Sequence, residues 1–241
     1  LSRKRDKASV GDTERLDGGI WDKRGLAGAK TAVYALAAGK INVGDKMPRM
    51  PDSTAGLAAL ALRRSVPSRL LSEPGPTPEQ LHRLLTAAVR VPDHGKLVPW
   101  RFLKIEGDAR RKLGASLAAR ALERDPNAPE AAVEKDRLRF SYAPTIVTVI
   151  ARLTPGHKVP EIEQLLSGGA VCFALLQAAQ AEGFGAQWLT GWPAYDPAIR
   201  ELLGVGEHER VLGFIHIGTA REAAPERVRP DANDLLSDLR L

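Results

Sequence analysis

IEQLLSGGAVCFALLQAAQAEGFGAQWLTG, residues 162–191, is the stretch whose reading decides the fold. Its first part, 162–183, carries apolar or small residues on almost every face of a helix and stops at Gly183, a residue suited to the left-handed turn that ends helices. The second part, 184–191, reads as a strand. Because the helix precedes the strand, the glycines between them cannot be a dinucleotide fingerprint, which needs a strand before them and a helix after. The chain has no Rossmann unit, and a helix apolar all round requires burial on more than one side.

The flanking sequence supplies that burial. DPAIRELLG (196–204) reads as a short helix capped by Asp196, and RVLGFIHIGTA (210–220) as a last strand. Upstream, PTIVTVIARL (144–153) is a β-branched run typical of a buried strand, and WRFLKIEG (100–107) has strand character. Between and before them lie DARRKLGASLAARALER (108–124), an amphipathic helix, and TPEQLHRLLTAAVRV (77–91), a helix with Thr77 as N-cap, Pro78 at its first position and Gln80 completing a capping box. TAGLAALALRRS reads as a helix ending near Arg64. The pattern is α+β without internal repeats.

Composition narrows the functional classes. The 241 residues carry a net charge of +6, which invites a nucleic-acid reading until the charge is located. Residues 1–52 hold 11 Lys and Arg against 7 Asp and Glu, whereas the remainder holds 24 against 22. The excess sits mostly in a segment lacking sustained periodicity, read as a poorly ordered extension, with 53–241 as the folded domain. A signal peptide around TAVYALAAG (31–39) is disfavoured by the acidic residues before it and by Lys30 beside it. The expectation is no nucleic-acid partner for the domain. One cysteine, Cys172, excludes a disulfide framework and Cys-based zinc chemistry, and no metal ligand spacing occurs, so a reducing cytoplasm is the expected compartment. No apolar run approaches the roughly 20 residues that span a bilayer, so no membrane segment is expected.

Three polar constellations interrupt the apolar pattern. Arg63, Arg64 and Ser65 combine two guanidiniums with a hydroxyl, a donor set suited to phosphate, although it also reads as a solvated helix C-terminus. RVPDHGKLVPWRF (90–102) clamps a polar loop carrying His94 between two prolines before Trp100, which suits a rigid ligand-contacting segment and equally a surface loop followed by a core aromatic. Thr190 and Gly191 end a strand where a bare glycine permits close backbone approach, or form a plain turn.

In this order the segments RRS, LSEPGPTPEQL, RVPDHGKLVPWRF, HKVPEIEQLLSGGAVCFALLQAAQAEGFGAQWLTG and GFIHIGT resemble the nitroreductase family of FMN-dependent oxidoreductases, over about residues 57–220. The resemblance implies an α+β sandwich, a mainly antiparallel sheet flanked by helices, with the long helix buried at a homodimer interface around Gly168, Ala170, Phe173 and Leu176. It implies FMN held at its phosphate and ribityl chain by Arg63, Arg64 and Ser65, with Arg90 and His94 as further flavin contacts, His94 reaching the cofactor of the other subunit. Leu189, Thr190 and Gly191 would run beside the isoalloxazine. Ala179, Gln180, Ala181, Glu182, Gly183 and Phe184 fall on a segment that contacts the nicotinamide cofactor in relatives. A cation near the C-terminus, Arg227 or Arg229, is a further phosphate candidate. Val98 stands where many relatives carry glutamine.

The implied activity is NAD(P)H-dependent reduction of nitroaromatic, quinone or related small-molecule electron acceptors by ping-pong hydride transfer through the flavin, with no protein group assigned as acid or base. Flavin fragmentation, reductive dehalogenation and non-catalytic flavin binding are the alternative tasks for the same scaffold.

Overall fold

The computed structural model describes residues 53–241 and divides the chain into two units, Leu1–Ala55 and Gly56–Leu241. The expected extension, 1–52, lies outside the described residues. Six helices are described: α1 (Ser53–Leu62), α2 (Pro78–Ala88), α3 (Asp108–Arg124), α4 (Glu130–Leu138), α5 (Glu161–Ala181) and α6 (Pro197–Leu202). Five strands accompany them: β1 (Leu71–Ser72), β2 (Trp100–Glu106), β3 (Thr145–Arg152), β4 (Gly185–Leu189) and β5 (Glu209–Ala220).

All pairings are antiparallel, in the order β1-β5-β3-β2, with β4 also on β5. β4 and β1 share one edge of β5: Gly185 to Leu189 lie opposite Gly218 to Phe214, and Ser72 and Leu71 continue opposite Thr219 and Ala220. On one face Leu81 and Leu84 of α2 and Val171, Leu175 and Ala179 of α5 pack on Val147, Val149, Ile215 and Ile217. On the other, Leu113 and Leu117 of α3 and Ile199 of α6 meet Phe140, Ile146 and Phe214. The result is the expected α+β sandwich, and each fully buried leucine in it contributes about 1.5–3 kcal/mol.

The local signals behave as their chemistry requires. The Thr77 hydroxyl accepts from Gln80 N at 3.2 Å while Thr77 N donates to Gln80 Oε1 at 2.9 Å, closing the capping box. The Asp196 carboxylate accepts from Ala198 N and Ile199 N at 3.0 and 3.2 Å. Two departures concern helices. α1 stops at Leu62, so Arg63 and Arg64 belong to the following irregular segment rather than to the helix. α4 is an element the sequence reading omitted, nine residues with only Val133 buried and hence little periodic signal.

α5 corrects two expectations. It is long and apolar enough, at 21 residues, to match a membrane span by length and composition, yet half of an 18-residue stretch of it is buried in the protein and its inner face includes Gln164 and Ser167, so it is a core helix. Gly168 and Leu176, expected at a subunit interface, face the core instead: a Cβ on Gly168 would collide with Leu212, and Leu176 is buried. The open stripe of α5 is Ile162, Leu166 and Phe173, 60%, 65% and 43% exposed.

Candidate functional site

The segment after α1 runs beside the end of α5 and the start of β4. Arg64 N donates to Gln180 Oε1 at 3.1 Å, Val66 N to Ala186 O at 3.0 Å and Ser68 N to Gln187 Oε1 at 2.5 Å. Ser65 Oγ accepts from Arg63 Nη1 at 3.1 Å. The C-terminal tail folds back here, with Glu226 paired to Arg64 and lying 3.6 Å from Arg229 Nη2. Partial burial and then the guanidiniums of Arg229, Arg227 and Arg64 hold Arg63 below the usual arginine pKa. Arg64, Arg227 and Arg229 thus act electrostatically on Arg63, whose guanidinium holds the Ser65 hydroxyl, while the Glu226 carboxylate pairs with Arg64 and Arg229. Such a cluster suits a phosphate dianion.

β4 leads from this cluster to the second predicted segment. At about 3.3 Å per residue its five residues span roughly 13 Å. Past its end, Thr190 is half-buried and Gly191 exposed. Gly191 has φ +92, a left-handed conformation that favours glycine, and a Cβ there would lie 3.2 Å from Arg139 Nη1. Arg139 is fixed by Asp136 at 2.7 Å, and the same carboxylate accepts from Trp192 Nε1 at 3.0 Å, while Arg124 lies 4.8 Å over the Trp192 ring. The sequence reading missed this group. The signal was weak because its members come from α3, α4 and the turn after β4, which no local motif connects.

The loop carrying His94 is built differently. The Asp93 carboxylate accepts from Leu97 N at 3.1 Å and Val98 N at 2.9 Å, and Ser167 Oγ donates to Pro92 O at 2.6 Å. Gly95, Lys96 and Val98 all have left-handed φ, +73, +54 and +50. For Lys96 and the β-branched Val98 this is strain of order 1–3 kcal/mol each, held by the Asp93 bonds. His94 Nδ1 lies 2.6 Å from Glu163 Oε2, both side chains largely exposed, and Arg90 is exposed at the end of α2.

One chain does not bring these two regions together. His94 is attached to Glu163 near the start of α5, and Arg64 to Gln180 near its end; the 17 intervening steps at 1.5 Å each separate them by about 25 Å.

Residues 179–184 are mostly engaged in structure. Ala179 is fully buried, Gln180 holds Arg64, Glu182 forms a bidentate pair with Arg83 at 2.9 and 3.0 Å, and Phe184 packs on the core, leaving Ala181 and Gly183 exposed. Trp100 is a core aromatic at 5% exposure. Burial pushes the Cys172 thiol up to about 12, so it is an inert core residue. His216 is also buried, its ring stacked 5.7 Å from Phe140 and neither nitrogen partnered, and burial, then Arg139, lowers its pKa to about 4.

A family model described as "Nitroreductase family" matches residues 60–219. The chain is 38% identical over 173 residues to the "Putative NAD(P)H nitroreductase YdjA" of Escherichia coli (strain K12), covering 71% of this chain and 93% of that one. Among solved structures, a "Nitroreductase-like Family Protein" from Bacillus cereus superposes with a TM-score of 0.66 at 22% identity, over 79% of this chain and 99% of the other. A "putative nitroreductase in complex with fmn" from Desulfovibrio desulfuricans superposes with a TM-score of 0.60 at 21% identity, over 76% and 96%.

Proposed function

The chain belongs to the nitroreductase family of oxidoreductases, and from that premise we propose that it is a homodimeric FMN enzyme of the cytoplasm that uses NAD(P)H to reduce nitroaromatic, quinone or related acceptors in a ping-pong cycle. The observation that carries this reading is the gathering of Arg64, Arg227 and Arg229 near Arg63, whose guanidinium also holds the Ser65 hydroxyl. Clustered guanidiniums repel one another unless an anion sits among them, and a terminal phosphate dianion is a better match than the lone carboxylate of Glu226. When bound, FMN supplies two-electron hydride chemistry between the nicotinamide and the acceptor.

The protein's own residues bind and orient. Arg63, Arg64 and Ser65 would hold the phosphate, with Arg227 and Arg229 adding charge from the tail. Leu189, Thr190 and Gly191, one β4 length away, would flank the flavin ring, with the absent side chain at Gly191 leaving its backbone open to close approach. Ala181 and Gly183 are the exposed members of the segment assigned to the nicotinamide cofactor. The catalytic machinery is the flavin, and no side chain is assigned as acid or base.

The 25 Å separation along α5 is the argument for a homodimer. A second copy whose α5 runs antiparallel across the stripe of Ile162, Leu166 and Phe173 would bring His94 and Arg90 of one chain toward the arginine cluster of the other. Arg90 and His94 then act as contacts to the flavin of the opposite subunit.

Absorbance of the purified protein tests the reading. A flavin spectrum that bleaches anaerobically on NADPH or NADH and returns on adding a quinone supports it. A flavin spectrum that neither nucleotide bleaches replaces it with a non-catalytic flavin-binding protein, and a colourless protein that takes up no FMN removes it.

A further inference from the structure

The residues just described raise the question of what holds Arg63 and Ser65 in place, since the segment between α1 and the turn at Ser68–Leu70 has no regular structure. Its backbone N–H groups at 64, 66 and 68 are all taken from one side. This is the period-two alternation of an extended strand, in which successive groups point to opposite sides. The ladder is unusual in composition. Only the middle rung, Val66 N to Ala186 O at 3.0 Å, joins backbone to backbone. The outer rungs are made by the side-chain amides of Gln180, from α5, and Gln187, from β4.

We infer that Gln180 and Gln187 are positioning residues for phosphate binding, setting the register of the Arg63–Ser65 segment by substituting for two strand rungs. β4 is too short to pair with the whole segment: it begins at Gly185, so the backbone acceptor that would meet Arg64 lies beyond its end, where Gln180 reaches across instead. At Ser68 the backbone turns into a 3-10 turn, and Gln187 takes the N–H that leaves the ladder. With the N–H groups of 64, 66 and 68 fixed, the register of Ser65 between them is fixed too, and its hydroxyl holds the Arg63 guanidinium. A slip of one residue would turn the Ser65 side chain to the opposite face and present the wrong groups to the ligand. Gln180 thereby acts through the Arg64 backbone and has no need to touch either cofactor.

This inference rests on the phosphate reading of Arg63, and the test separates the two. Apoprotein carrying Gln180→Met or Gln187→Met, which keep side-chain length and lose the acceptor, is titrated with FMN and with riboflavin by fluorescence quenching. The expected result is FMN weakened about tenfold by either change, the scale of one lost hydrogen bond, with riboflavin unchanged. Added to Arg63→Ala, either methionine variant should weaken FMN by less than it does alone, because part of the positioned donor set is already gone. If Arg63→Ala loses its preference for FMN while both methionine variants bind FMN like the wild type, the positioning role is wrong and the phosphate reading stands. If Arg63→Ala keeps that preference, the phosphate reading and the inference fall together. Equal weakening of FMN and riboflavin in the methionine variants would show general damage and also overturn the inference; retained riboflavin binding shows that the variants are folded.

Discussion

The two ends of α5 carry two polar segments of opposite construction. At its C-terminal end the Arg63–Ser68 segment is unstrained and borrows its order from neighbours: two glutamine amides, a strand edge and a returning tail. At its N-terminal end the Asp93–Val98 loop makes its own order, one carboxylate holding two N–H groups over left-handed backbone. The first gathers guanidiniums around Arg63, and the second displays a histidine that is largely exposed among the described residues and touches Glu163. The difference teaches that, on the proposed reading, each end would supply half of a site, the length of α5 keeping the two halves of one chain apart.

The largest expected effect comes from separating the chains. Phe173 is 43% exposed, so Phe173→Asp leaves the isolated fold intact but buries a carboxylate wherever two α5 stripes meet. Association should weaken by about 3–5 kcal/mol, the cost of an uncompensated buried charge. Sedimentation with flavin absorbance should show monomers that have released FMN. A wild-type monomer with stoichiometric FMN would break the half-site comparison outright.

Acid should destabilise the whole fold through His216, the cross-strand neighbour of Gln187. Its folded pKa of about 4 lies below the ordinary 6.5, so between these values only the unfolded chain takes the proton. Stability is therefore full above pH 6.5 and falls as pH drops, by up to about 3 kcal/mol near pH 4. Thermal melts across that window should show the decline, and His216→Phe should flatten it. An unchanged slope in the variant would assign the acid sensitivity elsewhere.

Next in size, Arg63→Ala should weaken FMN by about 10–100-fold, from the loss of charge-assisted bonds, and riboflavin hardly at all. The same variant sharpens the comparison when mixed with His94→Ala. If the halves come from different chains, subunit exchange yields mixed dimers with one intact site each. About a quarter of all sites should then recover tight FMN binding, and no recovery would place both halves in one chain. The smallest effect is expected from deleting residues 1–52, which should change flavin content and turnover little, since that segment shows no core-forming pattern. Loss of FMN on truncation would add a third region to the site.

Much of the fold was legible because short-range chemistry decides it. Thr77 and Gln80 announce a helix start whatever surrounds them, and the β-branched run at 145–152 forms a strand buried on both faces. α4 escaped notice because one buried valine in nine residues leaves no stripe to see. Of the site, the arginine pair, the histidine loop and the glycine after β4 were visible as local oddities, whereas Arg139, Asp136 and Trp192 were not.

The sequence by itself determined an α+β chain without a Rossmann unit, the positions of its caps and breaks, and the residue types available for binding phosphate. Only the tertiary structure decided which face of α5 stays open, that Gln180 serves the arginine segment, and that Arg227 and Arg229 return to it from more than 160 residues away. The reason is physical. Periodicity and capping are interactions within a few residues and are written in local order. Which side of an all-apolar helix is covered, and which distant charge lands beside another, depends on the packing of whole elements, and no local pattern records it.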